Sequence, residues 1–361
     1  AIASTLREAL IFSRSRGGVR AWWATGRDDV GVVNEQPSFT DIEYGNRRRV
    51  SRREKFLDTM DGTVPWQAWV AVIEPHYYRG ERGRPPVGLE TMLRMYLCQN
   101  CLGLSDEGIE DAIVDSIAVR RFVGIDLIER QAPDATTLLK FRRLLERHEM
   151  PVRIFALIRE QLGQQGLILR EGTIVDATLI AAPPSTKNKE GERDPDMHQT
   201  KKGKQWYFGM KAHIGTDAHT GIVHSLAATA ANASDVSQTH KLLHGEEKHV
   251  HADAGYQGAD KRPELKECEA EFVIARRRST YKKLDKTDPR RQLIEQAEHA
   301  KASIRSKVEH AFHVVKNLFR HRKCRYKGLA KNTAQLHVLF AMANLVLSQR
   351  SLCAPYRTGA S

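Results

Sequence analysis

The chain has 361 residues, 57 Lys and Arg against 44 Asp and Glu, a formal net charge of +13 and a hydrophobic share of 41%. That length provides for roughly two domains of about 150 residues with a real core, and the charge argues for a polyanionic partner, most often nucleic acid. No apolar run approaches the roughly 18 residues of a membrane span, and five scattered cysteines fit a reducing compartment, so a cytoplasmic protein without a membrane partner is expected.

Residues 1–36 show no sustained period and are expected to be a poorly ordered extension. From Arg52 to about Leu162 the reading is helical, and residues 37–165 are assigned to a helical DNA-binding domain. VPWQAWVAVIEPHY places apolar residues at helical spacing, and LETMLRMYLCQNCLG repeats Leu89, Met92, Leu93, Tyr96 and Leu97 along one helix face. Cys98 and Cys101 lie in that helix with no second pair at zinc-finger spacing, so two packed cysteines are expected. Ser105 is a suitable N-cap, with Asp106 and Glu107 in a first turn that favours negative charge. The helix it starts is expected to run to Gly124. Another begins after Pro133–Asp134 and carries Lys140, Arg142, Arg143 and Arg147. Short helices joined by Gly and Pro turns suggest a helix-turn-helix type of bundle. The four cations then suit phosphate contact, or else form a plain solvated face.

After Gly166 the pattern turns β-rich. GLILREGTIVDATLIAAP, WYFGMKAHIGTD and GIVHSLAATAA read as three strands, DVSQTHKLLHG as a short helix, and KHVHADAGYQG as a strand ending in a Gly-rich turn. A helix over ADKRPELKECE, a strand over EFVIARR, a long helix from Ala300 to Phe319 and a last apolar helix complete an α/β order. Residues 166–350 are assigned to this domain and 351–361 to a tail. Two polar stretches, 183–204 and 275–291, read as long loops. The charge of the first, with Lys201, Lys202 and Lys204, suggests DNA contact.

One feature of the first strand needs a reason: Asp176 lies among Thr173, Ile174, Val175 and Ala177, Thr178, Leu179, Ile180. A second acid, Asp253, ends the strand VHADAGYQ at a Gly-rich turn, and Glu309 lies on the long helix in SKVEHAF. Ionised carboxylates brought to about 4 Å repel by roughly 1 kcal/mol in water and about 4 kcal/mol at an effective dielectric near 20. A fold keeps such a cluster when a cation sits in it. Oxygen-only donors favour Mg²⁺ or Mn²⁺ over Zn²⁺, and two such ions roughly 3.5–4 Å apart suit in-line attack on a phosphodiester. Taken singly, each acid is as readily a hydrogen-bonded or ion-paired residue. Arg305 and Lys316 share the helix face of Glu309 at i−4 and i+7, suited to gripping phosphates; the plain alternative is an i,i+4 ion pair of about 0.3–0.5 kcal/mol. His310, His313, His249 and His251 are expected mostly to pack or hydrogen-bond. Neither a G-x-S-x-G elbow nor a phosphate-binding G-x-x-x-x-G-K-[ST] loop is present.

With these residues in view, the chain resembles DDE-type bacterial insertion-sequence transposases of the insertion-sequence-five family, over about Phe39 to Leu347. LETMLRMYLCQNCLGLSDEGIEDAI and PDATTLLKFRRLLERH are similar to the family's helical N-terminal domain. TIVDATLIAAPPSTKNKE, DPDMHQTKKGKQWYFGMKAHIG, TAANASD, HGEEKHVHADAGYQG and KASIRSKVEHAF are similar to its catalytic blocks. The resemblance implies a ribonuclease-H-like catalytic domain, a mixed sheet flanked by helices, preceded by an all-α domain. It implies Asp176, Asp253 and Glu309 as catalytic and metal-binding residues holding two Mg²⁺ or Mn²⁺ ions. The related Tyr-x2-Arg-x3-Glu-x6-Lys signature falls on Ala302, Arg305, Glu309 and Lys316, so its Tyr is missing while Arg305 and Lys316 match as DNA contacts. The function implied is binding of terminal inverted repeats, cleavage to 3′ hydroxyls and joining to target DNA, by a homodimer or larger assembly at the nucleoid. The alternatives are a metal-dependent nuclease without strand transfer and an inactive DNA-binding regulator.

Overall fold

The computed structural model describes residues 47–353 apart from 79, 81–84, 129, 190 and 286–287. The extension expected over 1–36 lies outside the described residues, as does the tail beyond 353. Seven α-helices are described between Arg52 and Gln164: α1 Arg52–Thr63, α2 Trp66–Ile73, α3 Leu89–Leu102, α4 Asp106–Asp115, α5 Ile117–Val123, α6 Ala135–Arg147 and α7 Met150–Gln164. Two of these starts, those of α4 and α6, follow the sequence signals. The Ser105 hydroxyl accepts from Gly108 N at 2.9 Å, and Asp134 accepts from Thr137 N at 2.6 Å. At the end of α3, Gly103 adopts φ +70°, and a Cβ there would crowd the Phe319 carbonyl oxygen at 3.0 Å.

The single helix expected over residues 106–124 is two helices. Ser116 breaks it, with extended backbone (φ −113°, ψ 111°) and a hydroxyl that caps α5 through Val119 N. A serine in a helix-forming run competes for backbone groups in this way.

Six strands form one mixed sheet: β1 Gly172–Ala181, β2 His198–Lys202, β3 Gln205–Asp217, β4 Val223–Ala230, β5 His249–Ala252 and β6 Glu271–Ile274. The order is β2-β3-β1-β5-β6, with β4 also on β3. β3 is long enough for one edge to take β2 along residues 205–209 and β4 along residues 210–216. β1 pairs antiparallel with β3 and parallel with β5, and β5 is parallel to β6.

β2 corrects the loop expected over 183–204. HQTKK shows no apolar alternation because neither face is buried; backbone pairing to β3 makes it a strand. At the foot of this hairpin stands Gly209, where a Cβ would overlap the Ile180 carbonyl oxygen of β1. Two further helices expected from sequence, in 235–245 and 259–269, are short 3₁₀ segments at Val236–Lys241, Ala259–Lys261 and Pro263–Leu265. Past β6, a one-turn α8 (Arg278–Tyr281) precedes α9, Pro289–His313. α9 therefore begins at Pro289, capped by the Asp288 carboxylate on Arg290 N at 2.8 Å, and not at Ala300. Its end unwinds into a π-turn, Val314–Leu318, before α10, Leu329–Cys353.

α10 ties the structure together. Leu336, Val338, Leu339, Phe340, Ala341, Met342 and Leu345 are buried, and the helix packs on both α7 and β4. Two of its polar core side chains tie it to other elements: Asn344 bridges both backbone groups of Val223 at 2.9 and 2.7 Å, and Gln335 donates to the Asn100 amide oxygen at 2.8 Å. A smaller apolar cluster of Val175, Leu242, Val250, Ala252 and Tyr256 forms separately from the main core.

Candidate active site

Side chains alternate along a strand. Asp176 shares parity with Ile174 and Ile180, which pack into the main core with Val308, Ala311 and Phe312 of α9. Val175, of the opposite parity, belongs to the smaller cluster. The parallel register of β1 and β5 runs Gly172↔His249, Thr173↔Val250, Ile174↔His251. His251 is the last residue in that register, opposite Ile174, so Asp253, two residues further on and just past β5, has the parity that faces the side of the sheet carrying Asp176. α9 lies against β1 and β5 and contributes exposed Glu309 next to buried Val308. Asp176, Asp253 and Glu309 thus line one cavity of about 870 Å³.

Three lysines fix α9 and its π-turn over the sheet. Lys301 Nζ donates to Ile274 O of β6 at 3.1 Å, Lys307 Nζ to Ala218 O just past β3 at 2.7 Å, and Lys316 Nζ to Leu179 O of β1 at 2.7 Å. Each satisfies a carbonyl at a strand or its end, so the position of Glu309 follows from the sheet.

None of the three acids has an ion-pair partner among the described residues. The i,i+4 pair considered for Arg305 and Glu309 is not formed, and Arg305 Nε is buried with no hydrogen-bond partner. Burial raises the Asp176 carboxyl to about 7 despite the Ala177 N–H it accepts; the Asp253 and Glu309 charges push the same way and Arg305 opposes them. Tyr256, whose hydroxyl is buried without a partner, is likewise raised by burial and by Asp176, Asp235 and Asp253.

The donor chemistry fits hard divalent cations: carboxylate oxygens only, with one acid disfavouring its charge until a cation compensates it. Among the described residues no group of three or more His, Cys, Asp and Glu side chains is drawn tightly enough to hold an ion as it stands. Two of the acids accept local backbone hydrogen bonds. Asp176 Oδ1 is held by Ala177 N at 2.7 Å and Asp253 Oδ1 by Gly255 N at 2.8 Å.

The cations expected to contact DNA divide. Arg305, Lys316, Lys201 and Lys202 line the same cavity as the acids, and exposed Lys204 sits in the β2–β3 turn. Lys140, Arg143 and Arg147 are exposed on α6, away from that cavity's lining. Arg142 corrects its expectation. It is 5% exposed, forks onto Asp106 (2.7 and 2.9 Å), donates to the Tyr326 hydroxyl at 3.1 Å and stacks over that ring. Burial alone would raise Asp106, but the Arg142 and Gln99 hydrogen bonds hold it below the usual carboxylate range. Arg142 is a core ion pair with no face left for phosphate.

Sequence reasoning missed Lys211 and Asp235, which also line the cavity and pair at 2.9 Å. Lys211 carried the same signal as Asp176, a lone charge inside an apolar strand. His310 and His313 are exposed at the cavity, with His313 hydrogen-bonded to Asn317 at 2.8 Å. Cys98 and Cys101 are buried in α3, and burial pushes the Cys98 thiol up to about 12.

Two family models match the chain. One, described as "Transposase DDE domain", covers residues 168–345. The other, "Transposase domain (DUF772)", covers residues 46–144. The first implies a ribonuclease-H-like fold, and the mixed sheet flanked by helices agrees with it.

Proposed function

Because the chain belongs to the DDE-type transposases, we propose that Asp176, Asp253 and Glu309 are its catalytic acids. Membership makes it a DNA-cleaving, strand-transferring enzyme that depends on divalent metal. No described helix is long and apolar enough to cross a membrane. The finer reading is that it recognises the terminal inverted repeats of an insertion sequence of the insertion-sequence-five family, frees 3′ hydroxyls and joins them to target DNA. Holding two ends at once requires a homodimer or larger assembly. The observation that carries this reading is the convergence of three carboxylates without ion-pair partners on one cavity, rimmed by Lys201, Lys202, Arg305 and Lys316.

The three carboxylates would hold two Mg²⁺ or Mn²⁺ ions, which when bound activate the attacking oxygen and stabilise the leaving one. The chain's own contribution is positional and electrostatic. Strand β1 and the end of β5 fix two acids rigidly, while the lysine–carbonyl bonds of α9 fix the third. Arg305 and Lys316 then place positive charge where a DNA phosphate must enter past carboxylates, and the exposed lysines of β2 and its turn guide the backbone toward it.

The test is Mn²⁺-dependent nicking of a labelled inverted-repeat oligonucleotide by the wild type and Asp176→Asn. The substitution keeps size and removes charge. We expect cleavage to be abolished with binding of uncut DNA within about twofold; persistent cleavage by the variant would refute the assignment. Strand-transfer products distinguish a transposase from a simple nuclease.

A further inference from the structure

The hairpin formed by β2 and β3 projects an indole that the fold does not use. Trp206 is 63% exposed, unlike buried Trp69. The register sets it opposite Lys201, whose ammonium lies 5.8 Å from the centre of the indole ring. Leaving such a ring in water costs hydrophobic free energy and contributes nothing to the core.

Its position relates it to the acids. Thr200, Lys201 and Lys202 of the same hairpin line the cavity that contains Asp176, Asp253 and Glu309. Lys202 is close enough to Lys316 to help burial lower that ammonium's pKa. The hairpin is also anchored at its foot. Gly209 at its foot packs against β1, and Phe208, on the parity of Trp206, lies beneath the Arg193 guanidinium at 5.4 Å. The result is a ribbon, anchored at its foot, at the rim of the site that carries Lys201, Lys202 and Lys204 with one flat aromatic face.

A cationic strand with an exposed aromatic fits an unpaired stretch of nucleic acid: the lysines meet phosphates and the ring takes a base. A base inside duplex DNA offers no free face, so the ligand is a nucleotide unstacked from its helix. We propose that Trp206, with Lys201, is a stacking platform for an unpaired base of the DNA strand next to the phosphate at the acid cavity. Trp206 is therefore a positioning residue for the DNA end. This rests on the catalytic reading above.

The test compares the full chain with Trp206→Ala and Trp206→Phe in Ca²⁺, which suppresses cleavage. The probes are a duplex, and the same duplex with one strand unpaired at its end and 2-aminopurine in the unpaired stretch. The wild type should bind the splayed probe more tightly and quench its 2-aminopurine. Trp206→Ala should lose between about 5- and 150-fold on that probe, the equivalent of one base–aromatic stack of 1–3 kcal/mol, along with the quenching. Its affinity for plain duplex should stay within twofold, and Trp206→Phe should retain most of the preference. Unchanged splayed-end binding by Trp206→Ala, or an equal loss on both probes, overturns the platform while leaving the catalytic reading intact. So does a Trp206-dependent shift of the free protein between monomer and dimer with no effect on DNA, which would make the ring a contact between copies. No binding of the wild type to either probe overturns both readings.

Discussion

Arg142→Ala offers a quantitative test of how α6 is used, because the helix carries four cations in two environments. Arg142 has 7% of its side chain exposed and its partner Asp106 has 30%. The substitution removes a two-pronged pair, a hydrogen bond to Tyr326 and a cation stacked 4.3 Å from the Tyr326 ring centre. Breaking a fully buried pair by deleting one partner costs about 3–5 kcal/mol. Asp106 keeps partial solvent access and its hydrogen bond from Gln99, so the lower end, about 3 kcal/mol, is expected. Arg142→Lys should recover part of this, since it restores charge but not the fork. Urea unfolding should show a lower midpoint at an unchanged slope. The salt dependence of DNA binding by the remaining folded protein should be that of the wild type. Arg143→Ala on the exposed face should do the opposite: stability unchanged within about 0.5 kcal/mol, and a salt slope smaller by about one if it meets a phosphate. An Arg142→Ala protein with the wild-type midpoint and a reduced salt slope would refute the buried placement and restore the reading of α6 as a uniformly basic face.

Lys316→Ala should weaken DNA-end binding and reduce the salt slope by about one; an unchanged slope would leave Lys316 only its bond to Leu179. Gly209→Ala should destabilise the fold by well over 1 kcal/mol in a denaturant melt, since the added methyl overlaps the Ile180 carbonyl; a neutral result would show that β1 and β3 can move apart. Acid should unfold the protein through buried neutral histidines. Burial, helped by His244, pushes His224 down to about 3, and burial with Arg325 does the same to His321. The unfolded chain takes up these protons near the ordinary value of about 6.5. The stability is thus fully present above that pH and is lost as pH falls toward 3, by up to about 1.4 kcal/mol per pH unit for each histidine. A urea midpoint that stays flat from pH 7 to pH 5 would contradict this, and His321→Phe should flatten the slope.

Much of this protein can be read from its residues in order. Apolar spacing of three and four located α2 and α3, and Ser105 and Asp134 marked helix starts because a cap is a local bond between near neighbours in the chain. Asp176 stood out because a carboxylate inside a β-branched run conflicts with its surroundings, and Asp253 because it ends a strand where a Gly-rich turn begins. The signals failed wherever the deciding energy came from a distant partner. HQTKK has no strand pattern, and only pairing with β3 makes it β2. Lys140, Arg142, Arg143 and Arg147 look alike along the chain, yet one is a core ion pair because Asp106 and Tyr326 arrive from elsewhere. The extent of α9 was obscured because Asp288 and Pro289 sit in a basic run that reads as loop. Composition and local pattern thus determine which segments can become helix or strand and which charges are anomalous, since those energies act between near neighbours. Which anomalous charges share a cavity, which cations remain free and which aromatic is left in water depend on strand order, register and helix docking, so only the tertiary structure decides them.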